Sequence, residues 1–144
     1  MKPTQYIAGT AAVALVVGGL VVFDRSPPIV YKSGSVRPER VSPGKPLSVK
    51  IELEWKRLCD LDVSRILRDG AGEEHKLPWS RSSPPPTMPS APLVSTREII
   101  VPATAKYGDK ACYRATVYMT CGVLDKVAPI KVEIPCIPFE IVPP

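Results

Sequence analysis

Four cysteines, Cys59, Cys112, Cys121 and Cys136, are the residues whose chemistry is most readily interpreted. None belongs to a C-x-x-C pair, the spacing that zinc sites and thioredoxin-like redox motifs commonly use. An even number of cysteines in a small, proline-rich chain instead favours two disulfides formed in an oxidising compartment. Four cysteines allow three pairings, and their spacing does not choose among them.

The sequence contains none of the common catalytic motifs. It has no glycine-rich phosphate loop, no G-x-S-x-G and no H-E-x-x-H. The single histidine, His75, lies in a charged segment where a surface position is expected. Asp60 and Asp62 could share a cation, although adjacent carboxylates at a strand end are usually only solvated. Catalysis would require these three residues to converge in one pocket. We therefore predict a protein that is not an enzyme and has no cofactor or metal site.

Three large side chains are candidates for contact with another protein. Trp79 and Met88 flank the prolines of residues 80–95, and Tyr118 lies on the polar face of its predicted strand. Aromatic residues and methionine are enriched at protein interfaces. The alternative for Trp79, that its ring folds back onto the edge of the domain, is equally compatible with the sequence.

The longest apolar stretch precedes all of these residues. Residues 6–23 carry no charge and would span about 27 Å as a helix, close to the thickness of a bilayer's hydrocarbon core. Asp24 and Arg25 end the stretch, and Pro27 and Pro28 prevent the helix from continuing. The sequence predicts a single-pass transmembrane helix, retained as a signal-anchor, that contacts the lipid bilayer.

Small residues recur every four positions within this stretch, at Thr10, Ala14 and Gly18. On a helix they would form a ridge that allows close packing against a second helix. Such residues are also common in any weakly hydrophobic anchor, so both interpretations stay open.

Two signals disagree about the direction of insertion. More Lys and Arg follow residues 6–23 than precede them, which would place the C-terminal side in the cytoplasm. Paired cysteines favour export instead, and we expect a membrane protein whose C-terminal domain is extracytoplasmic, either periplasmic or external. A cleaved signal peptide is the alternative. It is disfavoured because its apolar core is usually roughly 7–15 residues long and is followed by a small-residue cleavage site.

The composition of the remaining chain argues against a helical fold and against nucleic-acid binding. Proline accounts for 18 of 144 residues, which disfavours helices. The net charge is +5, but basic and acidic residues are interleaved and no run of four Lys or Arg occurs. Because nucleic-acid-binding surfaces usually show a clustered basic stripe, a nucleic-acid partner is not expected.

Alternation of apolar and polar residues predicts strands after the apolar stretch. The strongest signal covers residues 47–56, in which Leu47, Val49 and Ile51 begin one face while Ser48 and Lys50 begin the other. Further strands are predicted at 61–67, 74–77, 96–101, 111–121 and 130–141, with residues 80–95 as a proline-rich loop.

About seven short strands separated by turn signals are typical of an antiparallel β-sandwich. Residues 101–117 resemble the turn and penultimate strand of immunoglobulin-like domains, with Tyr113 at the position of the tyrosine corner. The resemblance spans residues 29–142, but it departs from the usual pattern because Trp55 precedes Cys59. The predicted organisation is an anchor at 1–25, an extended linker and first strand at 26–46, and an Ig-like β-sandwich at 47–144.

A sandwich of this kind favours one cysteine pairing. The loop after the strand of Trp55 would lie at the same end as the close of the Tyr113 strand, which brings Cys59 near Cys121. The last two strands would form a hairpin that sets Cys112 opposite Cys136. Regular alternation would place Cys112 and Cys136 on opposite faces of the sheet. A bulge at Pro135, which shifts the register by one residue, would place them on the same face.

The function expected from these features is binding without catalysis. The leading hypothesis is a single-pass, membrane-anchored Ig-like protein that acts as a structural or accessory interaction subunit of an envelope or virion assembly. Its expected partners are the bilayer and another protein subunit, with no small-molecule substrate. The alternative is a secreted Ig-like adhesion or carbohydrate-binding module released from a cleaved signal peptide.

Overall fold

Eight β-strands form two sheets in the computed structural model, which describes residues 10–15 and 25–144. The smaller sheet has the order β1-β3-β6 and the larger β2-β8-β7-β4-β5, and every pairing is antiparallel except that of β2 with β8. This mainly-β, two-sheet architecture is compatible with a β-sandwich. The strands are β1 Ile29–Arg37, β2 Arg40–Val41, β3 Pro46–Trp55, β4 Asp60–Arg68, β5 Glu74–Ser82, β6 Leu93–Ile100, β7 Gly108–Thr120 and β8 Ile130–Ile141.

The hydrophobic core lies between the sheets and follows the alternation of the sequence. Leu47 and Val49 of β3 are buried against residues of the larger sheet such as Leu67 and Val117. In β4 every second residue from Leu61 onward is buried, because successive side chains of a strand point to opposite faces. The period of two predicted for residues 47–56 and 61–67 therefore corresponds to β3 and β4.

Two predicted boundaries differ from the structure. Strand β5 continues to Ser82 and β6 begins at Leu93, so the irregular connection covers residues 83–92 rather than 80–95. Residues 80–82 join β5 because they pair with β4, with Ser82 opposite Leu61. Pro78 is tolerated within β5 because β5 is an edge strand, where a missing N–H disrupts no pairing on the outer side.

The prediction of a membrane-spanning helix is wrong. In the part of the chain that the structure describes, no helix is long and apolar enough to cross a membrane. The helical residues 10–15 would extend about 9 Å, against a hydrocarbon core of about 30 Å, and residues 6–9 and 16–23 lie outside the described residues. The single-pass, signal-anchor topology and the membrane localisation with an extracytoplasmic domain are corrected on this finding.

One charged side chain interrupts the apolar core. Arg65 occupies an inward position of β4 and is only 7% exposed. Its Nη1 donates to the Ser80 hydroxyl at 2.7 Å, and its guanidinium interacts electrostatically with the hydroxyl of Tyr113. Burial, as the largest cause, lowers the pKa of Arg65, because removal from water disfavours the charged form.

Arg65→Met is expected to raise the free energy of unfolding by about 1 kcal/mol, because replacing a buried charge with an apolar side chain of similar length removes its desolvation cost. Urea denaturation of the variant and the wild type measures the difference. Arg40→Met, which removes an exposed guanidinium, is the matched control, and its effect should stay within about 0.5 kcal/mol. A loss of 1 kcal/mol or more in Arg65→Met would show that the arginine stabilises the fold.

Candidate functional site

The four cysteines form two disulfides in the structure. Cys59 pairs with Cys121 at a Cα–Cα distance of 4.7 Å, and Cys112 pairs with Cys136 at 5.5 Å. The register of β7 with β8 shifts between Tyr113 and Ala115, opposite Pro135 and Cys136, which is the irregularity that the second pairing requires. Strand β7 is thus covalently fixed near both of its ends.

Asp69, Glu73 and His75 form the one cluster among the described residues whose ligand atoms could meet at a metal ion. The Asp69 carboxylate is fully buried and accepts hydrogen bonds from the backbone N–H groups of Ala71, Glu73 and Lys106 at 2.9–3.0 Å. His75 Nε2 lies 3.0 Å from Asp69 Oδ2. A cation would have to displace these donors, so the arrangement suits a structural carboxylate that fixes the β4–β5 turn.

Hydrogen bonding sets the ionisation of Asp69. Burial alone would raise the pKa of this carboxyl. The hydrogen bonds from His75 and the three backbone N–H groups outweigh burial and hold the pKa far below its usual range. Asp69 is therefore an anion at any pH at which proteins are normally handled.

The residues considered for catalysis do not converge. Asp60 and Asp62 lie at the start of β4, where Asp62 faces Arg81 of β5. His75 pairs with Leu67 near the opposite end of β4. Asp60, Asp62 and His75 therefore do not line a common pocket.

Trp79 and Tyr118 come together on the outer face of the larger sheet. Their ring centroids are 5.6 Å apart and their planes differ by 14°, which is a stacked arrangement. The pairing of β4 with β5 is irregular between Val63 and Arg65, and such a bulge re-aims the side chains beside it. Trp79 keeps 63% of its surface exposed. Its ring therefore lies over the sheet face without being buried there.

Charged side chains surround this stack. Arg81 donates to the Asp62 carboxylate at 3.0 and 3.4 Å, and Asp62 faces Tyr118 across the sheet. Lys131 of β8 is paired in register with Tyr118 and forms an ion pair with Glu133. The name aromatic patch is used below for five residues of this face: Trp79, Tyr118, Asp62, Arg81 and Lys131.

The remaining candidates lie elsewhere. Met88 is partly exposed on the 83–92 connection and does not belong to the aromatic patch. Thr10 and Ala14 are exposed within the helical residues 10–15, whereas Gly18 lies outside the described residues. The helix-packing ridge therefore stays a prediction.

Comparisons with known proteins yield no family. No protein-family model matches the chain, and no curated protein matches its sequence. Among solved structures, it resembles the Pseudomonas fluorescens alkylpurine DNA glycosylase AlkC bound to DNA containing an abasic-site analogue, with a TM-score of 0.43, 17% identity, and coverage of 96% of this chain and 39% of that one. It also resembles the Bacillus subtilis sporulation control protein Spo0M, with a TM-score of 0.41, 13% identity, and coverage of 77% and 49%. The chain thus spans less than half the length of either, and neither likeness is strong enough to carry a functional argument.

Proposed function

We propose that this protein is a non-catalytic interaction module that binds another protein through the aromatic patch, as an accessory or structural subunit of a complex. The observation that carries the proposal is the solvent-exposed stack of Trp79 on Tyr118. An exposed indole already held against a second ring loses little conformational freedom when a partner covers it.

The composition of the patch supports a protein partner. Trp, Tyr and Arg are the residue types that most often dominate binding energy at interfaces, usually as a central cluster inside a polar rim. Here Trp79 and Tyr118 form the centre, and the ion pair of Arg81 with Asp62 lies directly beside them. Arg81 is 82% exposed and is available to a partner's acidic group.

The proposed scaffold is an Ig-like β-sandwich. The feature that supports it is that sheets of three and five strands share one core. A buried tyrosine, Tyr113, also lies on the penultimate strand β7. The hydroxyl of Tyr113 interacts electrostatically with the Arg65 side chain, whereas a tyrosine-corner hydroxyl bonds to the backbone. The Ig-like proposal therefore rests on the sheets and not on this motif.

The proposal predicts a complex that depends on Trp79. Size-exclusion chromatography with light scattering, applied to the protein from its native source, should find it in an assembly larger than a monomer. Trp79→Ala should release the monomer, because truncating a central aromatic typically weakens binding by about 30-fold or more. Tyr107→Ala is the matched control, because Tyr107 is an exposed aromatic residue between β6 and β7, outside the aromatic patch. A wild-type protein that is only monomeric, or a complex that persists in folded Trp79→Ala, would contradict the proposal.

A carbohydrate ligand is the second candidate, because an exposed indole face can also stack on a sugar ring. The salt dependence of binding distinguishes a protein partner from a carbohydrate ligand. Protein binding that uses the charged rim weakens as ionic strength rises, since exposed charges are screened beyond about 8 Å at 0.15 M salt. The affinity for a neutral sugar that stacks on Trp79 should change little with salt. Affinity electrophoresis in gels containing neutral polysaccharides, at low and high salt, separates these outcomes.

A further inference from the structure

The two sheets do not close on each other along their whole length. On the inner face of β3, Leu47 and Val49 are buried, but Ile51, Leu53 and Trp55 further along are only half-buried. Between the sheets at this end lies a cleft with a volume of about 460 Å³, within the range that small-molecule sites occupy. The cleft extends to the edge strands β5 and β6, whose backbones do not pair with each other.

The walls of the cleft are mostly apolar. Side chains of β3 line one wall, and Val63, Ala115 and Val117 of the larger sheet line the other. Pro84 and Pro85, from the connection 83–92, also line it. An aliphatic or aromatic body placed here would exchange water for apolar contacts.

Two arginines line the same cleft. Arg65 is buried, and Arg97 lies on β6, where it is exposed. Both guanidinium groups donate to the Ser80 hydroxyl, at 2.7 and 3.5 Å, so the two Nη1 atoms are at most about 6 Å apart. The described residues provide neither arginine with a carboxylate within salt-bridge distance, and the positive charge of the pair is uncompensated.

The polar side chains around the two arginines include no carboxylate. The Ser80 oxygen accepts from both guanidinium groups, and the Tyr113 hydroxyl interacts electrostatically with Arg65. Within the described residues the cluster therefore offers hydrogen-bond donors and no anionic acceptor. A buried cation without a counter-charge is costly for a fold, and such local violations are expected at binding sites.

We infer that this cleft binds an amphipathic carboxylate, a small molecule whose aliphatic body fills the apolar walls and whose single carboxylate lies between Arg65 and Arg97. A carboxylate can accept from two guanidinium groups at once, because its two oxygens offer about four lone-pair sites. The cleft is separate from the aromatic patch: Trp79 stacks on Tyr118 at the outer face of the larger sheet, whereas Ser80 faces inward and hydrogen-bonds to the buried Arg65.

The test compares three ligands with the same chain length: dodecanoate, 1-dodecanol and dodecyltrimethylammonium, each below the concentration at which it forms micelles. Isothermal titration calorimetry of the full chain should give a dissociation constant for dodecanoate on the order of 10–100 µM. Dodecanol should bind at least about tenfold more weakly and the cation not at all, because a charge-assisted hydrogen bond contributes roughly a tenfold to hundredfold gain. Equal binding of dodecanoate and dodecanol, or no binding of dodecanoate up to 1 mM, would overturn the inference.

Variants assign the binding to the two arginines. Arg65→Met and Arg97→Met should each weaken dodecanoate binding by about 10- to 100-fold and leave dodecanol binding unchanged, and Arg65→Lys should restore part of the loss. Arg40→Met should stay within twofold of the wild type. Arg97 is exposed, so its variant keeps the test decisive if Arg65→Met does not fold. Unchanged dodecanoate affinity in Arg97→Met, or binding only of an apolar peptide with a free C-terminal carboxylate, would contradict the inference.

Discussion

Replacing both Cys59 and Cys121 with alanine is expected to lower the free energy of unfolding by about 4 kcal/mol. The two cysteines are 62 residues apart, and a cross-link that closes so long a loop removes much of the conformational entropy of the unfolded chain. A domain of this size is usually stable by about 5–15 kcal/mol, so the loss would be a large part of the total. Guanidinium denaturation of the oxidised wild type and the double variant measures it.

The second disulfide is the matched control. Cys112 and Cys136 are 24 residues apart, so replacing both with alanine should cost less, about 3 kcal/mol. Reduction of the wild type should cost at least as much as the larger single loss. A thiol titration that finds four free cysteines in the unreduced protein, or a loss below 1 kcal/mol for Cys59→Ala/Cys121→Ala, would be inconsistent with the covalent framework.

Asp69→Ala is expected to destabilise the protein by about 3 kcal/mol. The buried carboxylate satisfies three backbone N–H groups, and each donor left without a partner costs about 1–3 kcal/mol unless water reaches it. The variant should still unfold in a single transition, because Asp69 joins the β4–β5 turn to Lys106, which lies just before β7 and is far away in sequence. Urea denaturation measures the loss.

Asp60→Ala is the control for Asp69→Ala, because it removes an exposed carboxylate from the start of β4, the strand that Asp69 follows, and should change stability by less than about 0.5 kcal/mol. A similar small effect for Asp69→Ala would show that water replaces the carboxylate at no cost.

The same carboxylate makes stability depend on pH. The folded-state pKa of Asp69 is depressed below the unfolded value of about 3.9, so its contribution is fully present above that value and is lost as the pH falls through the folded pKa. Between pH 5 and pH 3 the wild type should therefore lose about 1 kcal/mol more than Asp69→Ala. Equal losses in the two proteins would mean that Asp69 has an ordinary pKa in the folded state.

The alternation of single strands could be predicted from the sequence, because each strand buries one face. Residues 47–56 and 61–67 show this in Leu47, Val49, Leu61 and Val63, all of which are buried. The same alternation places Arg65 at an inward position of β4. This phase is a sequence signal of an unusual buried charge.

Features that depend on several strands could not be predicted in the same way. The stack of Trp79 on Tyr118 needs the bulge between β4 and β5, which depends on the pairing of the two strands. The structural role of Asp69 depends on donors that include the backbone N–H of Lys106, 37 residues away. The uncharged apolar run of residues 6–23 predicts a membrane-spanning helix, but no helix in the described part of the chain is long and apolar enough to cross a membrane.

The central claim, that the aromatic patch is the surface that contacts a partner protein, is tested most directly by site-specific photo-crosslinking. Benzoylphenylalanine replaces Arg81 beside Trp79, or Lys50 on β3 of the other sheet as the control, and the protein is irradiated in its native source. We predict a discrete adduct with one protein from position 81, its loss when Trp79→Ala is added, and no such adduct from position 50. Equal cross-linking from both positions, or an adduct from position 81 that survives Trp79→Ala, would contradict the claim.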